Sequence, residues 1–232
     1  MKIGFCFYGL LRDTYQGREN VQEKDYRHCW PNIYKHVVEP YKEHDCKIFV
    51  STYETPQEIK DEMIELVKPD QVLYSLKEGS TPFTSKIEAF KLLNNQDLDF
   101  VIHTRLDLHF TQPFTNLNID YNKFNFLFPE LNHRHLGYTC DNLYMWPHHM
   151  TPLVESSMRN TYRVIRPYTH CTHGLQIKLS EVLNPQDIHI ISDTEELSTV
   201  NSFYTICKKE LGSKTQGIHP EVIERFGNFI DV

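Results

Sequence analysis

Apolar segments of strand length alternate with amphipathic segments of helix length through the first half of the chain. The first of them, KIGFCFYGL at residues 2–10, is almost continuously apolar, which is typical of a strand buried on both faces of a sheet. Further strand-like runs follow at residues 46–53, 71–76 and 99–110. Helix-like segments separate them, at residues 30–43, 55–69 and 80–96. This order predicts an α/β fold with a mostly parallel central sheet flanked by helices.

The second half is less regular. Strand-like runs lie at residues 123–130, 142–147 and 187–192, and helices are predicted from about residue 151 and over residues 173–183. The last 30 residues give no clear pattern. Because neither an internal repeat nor a linker is visible, we expect a single domain over residues 1–232.

Composition excludes several classes of protein. Hydrophobic residues make up 40% of the 232 residues and charged residues 24%, which is enough apolar surface for a folded core. The formal net charge is -7 and no basic run is present, which argues against a nucleic-acid-binding protein. The six cysteines form no Cys-x-x-Cys pair and are expected to be reduced thiols.

The apolar N-terminal run is too short for a signal peptide, and no stretch reaches the length of a membrane span. We therefore predict a cytoplasmic protein without a transmembrane segment.

Ligands of parallel α/β sheets bind beyond the carboxyl ends of the strands. The segment TRLDLHF ends the fourth predicted strand, and Asp107 and His109 would share a face there and reach one divalent ion. Arg105 would lie on the same face and pair with a phosphate, or else form an ion pair with Asp107. A second acidic pair, Asp97 and Asp99, precedes the strand and is expected at the opposite edge of the sheet.

Two further segments carry candidate functional residues. Gly9, at the end of the first strand, lets a ligand approach the backbone closely, and Arg12 could bind a diphosphate. The segment matches neither the dinucleotide-binding nor the P-loop pattern. Asp141 is either a general base or, with Asn142, part of a turn.

Six of the 13 histidines fall within 41 residues. They are His133, His135, His148, His149, His170 and His173. The i, i+3 spacing of His170 and His173 is compatible with metal binding, although His173 also suits the start of a helix. The other use for the cluster is to line an acceptor cleft with imidazoles that hydrogen-bond sugar hydroxyls.

Taken together, these motifs resemble those of the small GT-A-type glycosyltransferases of bacteria and large DNA viruses. The resemblance covers residues 2–145 and rests on Gly-x-x-Arg at residues 9–12, Phe-Val-Ser-Thr-Tyr at 49–53, SKIEAFKLL at 85–93, DFVIHTRLDLHF at 99–110 and the later Asp-Asn pair. It implies a GT-A-like, Rossmann-related fold and transfer of a sugar from a nucleotide-diphosphate sugar to a glycan or glycoconjugate hydroxyl. Residues 1–112 would bind the donor and residues 113–232 the acceptor, in the cytoplasm of the bacterium or of the host of a virus.

The resemblance also implies roles for particular residues. The donor would be bound by Gly9, Leu10, Arg12, Thr52, Lys86, Arg105 and Asp107. Asp141 would be catalytic, and Asn142 and His173 would contact the acceptor or a metal. A divalent cation, Mn²⁺ or Mg²⁺, would be held by Asp107 and His109. Because Arg105 stands where the family has the first Asp of Asp-x-Asp, Arg105 could instead replace the charge of the metal.

Two other functions remain open at the level of sequence. One is a metal-dependent hydrolase built from the histidine-rich second half, which would bind zinc and act without a nucleotide. The other is a non-catalytic module that binds a nucleotide or carbohydrate without turnover.

Overall fold

The computed structural model describes residues 1–9, 11–16, 21–76, 84–131, 139–164, 175–196, 201–206 and 209–210. Within these ranges, the side chains of residues 12–16, 21–24, 162–164 and 209–210 are not described.

Twelve strands are formed by the described residues. They are β1 (Lys2–Tyr8), β2 (Arg12–Gln16), β3 (Val21–Asp25), β4 (Asp45–Tyr53), β5 (Gln71–Ser75), β6 (Phe100–Arg105), β7 (Leu108–Phe110), β8 (Phe124–Phe126), β9 (Leu143–Pro147), β10 (Ile188–Ile190), β11 (Tyr204–Ile206) and β12 (Lys209–Glu210).

The α-helices are α1 (Tyr26–Ile33), α2 (Gln57–Val67), α3 (Thr84–Glu88), α4 (Phe90–Leu93), α5 (Thr151–Val164) and α6 (Leu175–Ser180). A π-helix, Tyr34–Val38, and a 3₁₀-helix, Glu39–Tyr41, extend α1. Short 3₁₀-helices also occur at Phe114–Asn116, His148–Met150 and Pro185–Asp187.

The central sheet has seven strands in the order β10-β8-β9-β6-β1-β4-β5. Strands β5, β4, β1 and β6 pair in parallel, whereas β9 is antiparallel to both of its neighbours, β6 and β8. Strand β10 is parallel to β8, so β9 is the single reversed strand of this sheet. The predicted α/β fold with a mostly parallel sheet is therefore confirmed.

Each face of the sheet is covered by helices. On one face, Phe5 and Phe7 of β1 join a hydrophobic core with residues of α1 and α2, such as Trp30 and Met63. On the other face, residues of β6 and β9 pack with α3 to α6 in a second core that includes Trp146. Burial on both faces explains why the strands are continuously apolar instead of alternating with polar residues.

Several predicted boundaries move. The helix predicted over residues 30–43 begins at Tyr26, because the Asp25 side chain accepts a hydrogen bond from the Arg27 amide and caps it. Pro31 consequently lies inside the helix. The segment predicted as a helix over residues 55–69 forms one from Gln57, after Pro56, to Val67.

Outside the central sheet, β2 and β3 form an antiparallel hairpin that pairs with β12. This hairpin was not predicted, because RDTYQ and VQEKD are polar and lack an apolar alternation. Strand β11 pairs with β7 in a separate two-stranded sheet.

The cysteines Cys6, Cys46 and Cys140 are free thiols and Cys29 is buried, whereas Cys171 and Cys207 lie outside the described residues. No helix within the described ranges is long and apolar enough to cross a bilayer.

Candidate functional site

The carboxyl ends of β1, β4 and β6 converge with the start of β9, which runs in the opposite direction. Thr104, near the end of β6, is paired with Leu143, the first residue of β9. Because of this reversal, Asp141 and Asn142 arrive at the edge where β1 and β6 end. We call the residues gathered here the strand-end cluster: Tyr8, Lys86, Arg105, Asp107, Asp141 and Asn142.

Gly9 ends β1 with a φ of 124°, a conformation that residues with a side chain rarely adopt. Its amide donates to the carbonyl of Ser51 at 3.2 Å, which ties the end of β1 to β4. A Cβ atom at Gly9 would meet no atom of the described residues within 4 Å, apart from its chain neighbours, so these residues leave the space beside this backbone open. Leu10 lies outside the described residues, and Arg12 begins β2, although its side chain is not described.

Arg105 and Asp107 form an ion pair through two parallel hydrogen bonds. The Nε and Nη2 atoms of Arg105 each donate to one carboxylate oxygen of Asp107 at 2.6 Å. Burial by itself lowers the pKa of the guanidinium, but the charge and hydrogen bonds of Asp107 more than offset it, so the pKa of Arg105 lies above its usual value. Arg105 therefore stays charged although most residues of the cluster are buried.

The predicted strand over residues 99–110 is divided in two, and this changes the expected geometry of the metal site. Strand β6 ends at Arg105, Leu106 and Asp107 form a turn, and β7 begins at Leu108. The prediction that Asp107 and His109 share a face of one strand was therefore wrong. His109 is exposed on β7, which pairs with β11.

A divalent cation fits poorly with this arrangement. Both oxygens of the Asp107 carboxylate already accept from Arg105. In the part of the chain that the structure describes, no three histidine, cysteine, aspartate or glutamate side chains are grouped as metal ligands. The alternative that Arg105 supplies the positive charge matches the observed ion pair better than a cation held by Asp107 and His109.

Asn142 connects Arg105 to a distant tyrosine. Its Oδ1 accepts from Nη1 of Arg105 at 3.0 Å, and its Nδ2 donates to the hydroxyl of Tyr204 at 3.1 Å. The Tyr204 hydroxyl is also 3.0 Å from the Sγ of Cys140. Burial raises the pKa of the Cys140 thiol to about 12, so the thiol is neutral. The chain Cys140, Tyr204, Asn142, Arg105 is thus a buried hydrogen-bond network.

Asp141 is half-buried. Its backbone carbonyl accepts hydrogen bonds, whereas its carboxylate affects the pKa of neighbouring groups. The backbone carbonyl accepts from the Tyr8 hydroxyl at 3.3 Å and from the ammonium group of Lys86. Burial is the main cause of the raised pKa of Tyr8 and of Tyr204, and Asp107 is the main cause that raises the pKa of Arg105 against burial. The Asp141 carboxylate is close enough to make a smaller contribution of the same sign to each. Asp141 therefore belongs to the same cluster as Arg105, as a general base would have to.

Thr52 lies on the other face of β4. The side chains of Ser51 and Tyr53 bond to Ser85 of α3, so Thr52 between them is directed away from α3. Thr52 is buried, and its hydroxyl has no hydrogen-bond partner among the described residues. The strand-end cluster therefore does not include it.

Other predicted residues have simpler positions. Asp97 forms an ion pair with Lys2, and the amide of Lys2 donates to Asp99 at 2.7 Å, so this acidic pair lies at the amino end of β1, as predicted. His148 contacts the carbonyl of Leu93 at 2.9 Å, and His149 is exposed. His133, His135, His170 and His173 lie outside the described residues.

Sequence reasoning missed Tyr204 because it lies in the final segment, where no periodicity is visible. A lone tyrosine also gives no signal of the partners that the fold brings to it. Its strand β11 has only three residues, too few for an alternation to be recognised.

Comparisons with known proteins show a likeness to solved structures and none to family models or curated sequences. No protein family model matches the chain, and no curated protein sequence matches it. Among solved structures, the chain is similar to the apo form of the glycosyltransferase GlyE from Streptococcus pneumoniae TIGR4, with 14% sequence identity and a TM-score of 0.47. The match covers 82% of this chain and 45% of that chain, so this chain spans less than half the length of GlyE.

Proposed function

We propose that this chain is a glycosyltransferase that moves a sugar from a nucleotide-diphosphate sugar to an acceptor hydroxyl, in a glycan or glycoconjugate. The observation that carries the proposal is Arg105, which Asp107 and Asn142 hold in a fixed orientation at the carboxyl edge of a parallel sheet. The resemblance of the surrounding motifs to those of GT-A-type transferases supports the same assignment.

Arg105 suits the diphosphate of the donor. Its contacts with Asp107 and Asn142 account for three of the five N–H donors of a guanidinium. The Arg105 side chain is 23% exposed, so its two remaining N–H groups are available to a phosphate oxygen. Planar pairing of arginine with phosphate is strong and directional. The open space beside Gly9 admits the donor next to the backbone of β1.

Asp141 suits the acceptor side of the reaction. In a transfer that inverts the anomeric carbon, the Asp141 carboxylate takes the proton of the acceptor hydroxyl as that oxygen forms its bond to the carbon. The bond between the anomeric carbon and the diphosphate oxygen breaks at the same time. Arg105 then stabilises the negative charge on the departing diphosphate.

Ligand-induced stabilisation tests this proposal. We expect one of UDP-glucose, GDP-mannose and dTDP-glucose to raise the melting temperature, because a ligand at ten times its Kd stabilises the native state by about 1.4 kcal/mol. Arg105→Met should lower the affinity for that nucleotide sugar at least about tenfold, because a charged hydrogen bond is lost. Arg159→Met is the matched control, because Arg159 pairs with Glu155 on the surface of α5.

Three outcomes would contradict the proposal. If none of the three donors stabilises the protein and zinc alone does, the hydrolase interpretation is favoured. Donor binding without release of nucleoside diphosphate, with any acceptor sugar supplied, would favour the non-catalytic module. Equal donor affinity in wild type and Arg105→Met would remove Arg105 from the site. Repeating the titration with Mn²⁺ and Mg²⁺ tests the metal requirement separately.

A further inference from the structure

Lys86 is a lysine inside the protein, at the junction of α3 and the strand-end cluster. Its side chain reaches across from α3, and the residue is only 2% exposed. The ammonium group donates to the backbone carbonyl of Asp141 and lies 3.4 Å from the hydroxyl of Tyr144. Burying a lysine is costly unless its charge is well coordinated, so this placement requires these specific contacts.

Two tyrosine rings lie close to the ammonium group that donates to that carbonyl. The Nζ atom lies 4.5 Å from the centre of the Tyr144 ring and 5.3 Å from that of Tyr8. Both distances are within the range of a cation–π attraction, which is stronger away from water. The orientation of the lysine is thereby fixed along its length.

The base of the lysine is fixed as well. The hydroxyl of Ser51, on β4, donates to the carbonyl of Ser85 at 2.7 Å, and the amide of Ser85 donates to the hydroxyl of Tyr53 at 3.3 Å. These bonds attach the first turn of α3 to β4. The Lys86 backbone is consequently held at a set distance from the strand ends.

The peptide units of Asp141 and Asn142 are held from three elements of the fold. Lys86, on α3, donates to the Asp141 carbonyl, and the Tyr8 hydroxyl, on β1, donates to it at 3.3 Å. Thr104, on β6, donates through its hydroxyl to the Asn142 carbonyl at 3.1 Å. Strand β9 begins only at Leu143, so side-chain donors take the place of sheet hydrogen bonds at these two residues.

We infer that Lys86 is a positioning residue for Asp141, a role distinct from the donor binding that the sequence motif suggested for it. Lys86 holds the backbone of Asp141 and so sets where the carboxylate of the proposed general base stands, without touching the donor. The inference rests on the proposed glycosyl transfer, because it is that reaction which needs a placed base.

Kinetics of single variants test the inference. The substrate is whichever of UDP-glucose, GDP-mannose and dTDP-glucose wild type hydrolyses. Lys86→Met should lower kcat for this hydrolysis by about 100-fold, the loss expected when a catalytic group is displaced by about 1 Å. KM for the nucleotide sugar should change less than about threefold, because the contacts that bind it in the ground state are unchanged. Lys86→Arg keeps a cationic donor and should recover part of kcat. Lys91→Met, on the exposed surface of α4, is the control and should match wild type.

Crystal structures of wild type and Lys86→Met separate this inference from the proposed function. If wild type cleaves none of the three donors, the proposed function fails, and the structures still decide whether Lys86 positions Asp141. A displaced Asp141 in Lys86→Met, with β6 unchanged, supports the inference. An unmoved Asp141 overturns it, as does a raised KM with an unchanged kcat, which would indicate donor binding. If Lys86→Met does not fold, Lys86→Gln provides the same comparison, because it also removes the ammonium group.

Discussion

His103 is enclosed by aromatic rings in the middle of β6. Its ring stacks on Tyr8 at 4.6 Å between centroids and is 5.7 Å from both Phe90 and Trp146. The residue is fully buried, and neither ring nitrogen forms a hydrogen bond of regular geometry with a described residue. Burial, with a smaller effect from the nearby Lys86 charge, places its pKa well below the usual value. His103 is thus a neutral member of the aromatic core.

We expect His103 to make the protein less stable in mild acid. Below about pH 6.5 the unfolded chain binds a proton on this imidazole and the native protein does not, so stability falls as the pH falls, by up to about 1.4 kcal/mol per pH unit. His103→Phe keeps a ring in the aromatic cluster and should remove that part of the pH dependence. Urea unfolding between pH 5 and pH 7.5 measures it.

The control for this prediction is His149→Gln, since His149 is exposed. It should retain the wild-type slope. Parallel stability profiles for wild type and His103→Phe would show that His103 is protonated in the native state.

At the scale of single residues, the sequence indicated the candidate site in part. Arg105 and Asp107 stand out because charged residues that directly follow a buried strand are costly to bury without a partner. Their mutual ion pair was one of the two interpretations of that motif. Tyr204 and Ser85 could not be found in this way, because only the folded chain brings them to their partners.

The C-terminus of α2 ends with a residue in the left-handed conformation. Lys68 has φ 52° and ψ 54°, and its amide donates to the carbonyl of Ile64 at 3.0 Å, which closes the last turn. Glycine is the usual residue in this position, because a Cβ atom strains the left-handed backbone. The Lys68 side chain is exposed, and the buried residues of α2 are Met63 and Val67.

Lys68→Gly should therefore stabilise the protein, by about 0.5–1 kcal/mol, after the greater freedom of glycine in the unfolded chain is taken into account. Chemical denaturation of both proteins at one pH measures the difference. Lys68→Ala is the control: it removes the charge and keeps the Cβ atom, so it should show no such gain. Equal effects of the two substitutions would mean that the backbone there is not strained.

Elements with a strong apolar pattern were predicted well and polar ones were not. Strands β1, β4 and β5 are all recognised. Burial on both faces leaves a continuous apolar run in β1 and in the second half of β4, and the edge strand β5 is recognised although it is only partly buried. The division between β6 and β7 was missed, since LDLHF continues the pattern of the strand through a turn. The ion pair of Arg105 and Asp107 spans this turn, and the apolar pattern carries no signal of it.

On the scale of the whole molecule, the C-terminal part of the chain completes the site made by the N-terminal part. Strand β11 pairs with β7, and Tyr204 reaches from it to Asn142 and Cys140. Tyr204 is fully buried, and burial raises its pKa well above the usual value, so its hydroxyl remains protonated. The position of Arg105 therefore depends, through Asn142, on a residue a hundred positions further along the chain.

We expect Tyr204→Phe to destabilise the protein by about 1–3 kcal/mol, because it leaves the Asn142 amide without its buried partner. Thermal and urea unfolding measure the loss. The substitution should also weaken donor binding, because Asn142 then holds Arg105 less firmly. Tyr121→Phe is the control: it removes a hydroxyl bonded to Tyr41 at a residue that is 38% exposed, and it should cost less. Equal losses would indicate that the Tyr204 hydroxyl has no special role.

The single reversed strand has a consequence for how the sheet is assembled. Strand β8 is synthesised before β9, yet in the sheet it lies beyond β9 and pairs with it and with β10. The growing chain thus leaves the edge of β6 open until roughly forty further residues are made, about 2–8 seconds at the usual rate of synthesis. An open edge of a buried, apolar strand readily pairs with another chain. We therefore expect newly made copies of this protein to be exposed to edge-to-edge pairing during that interval.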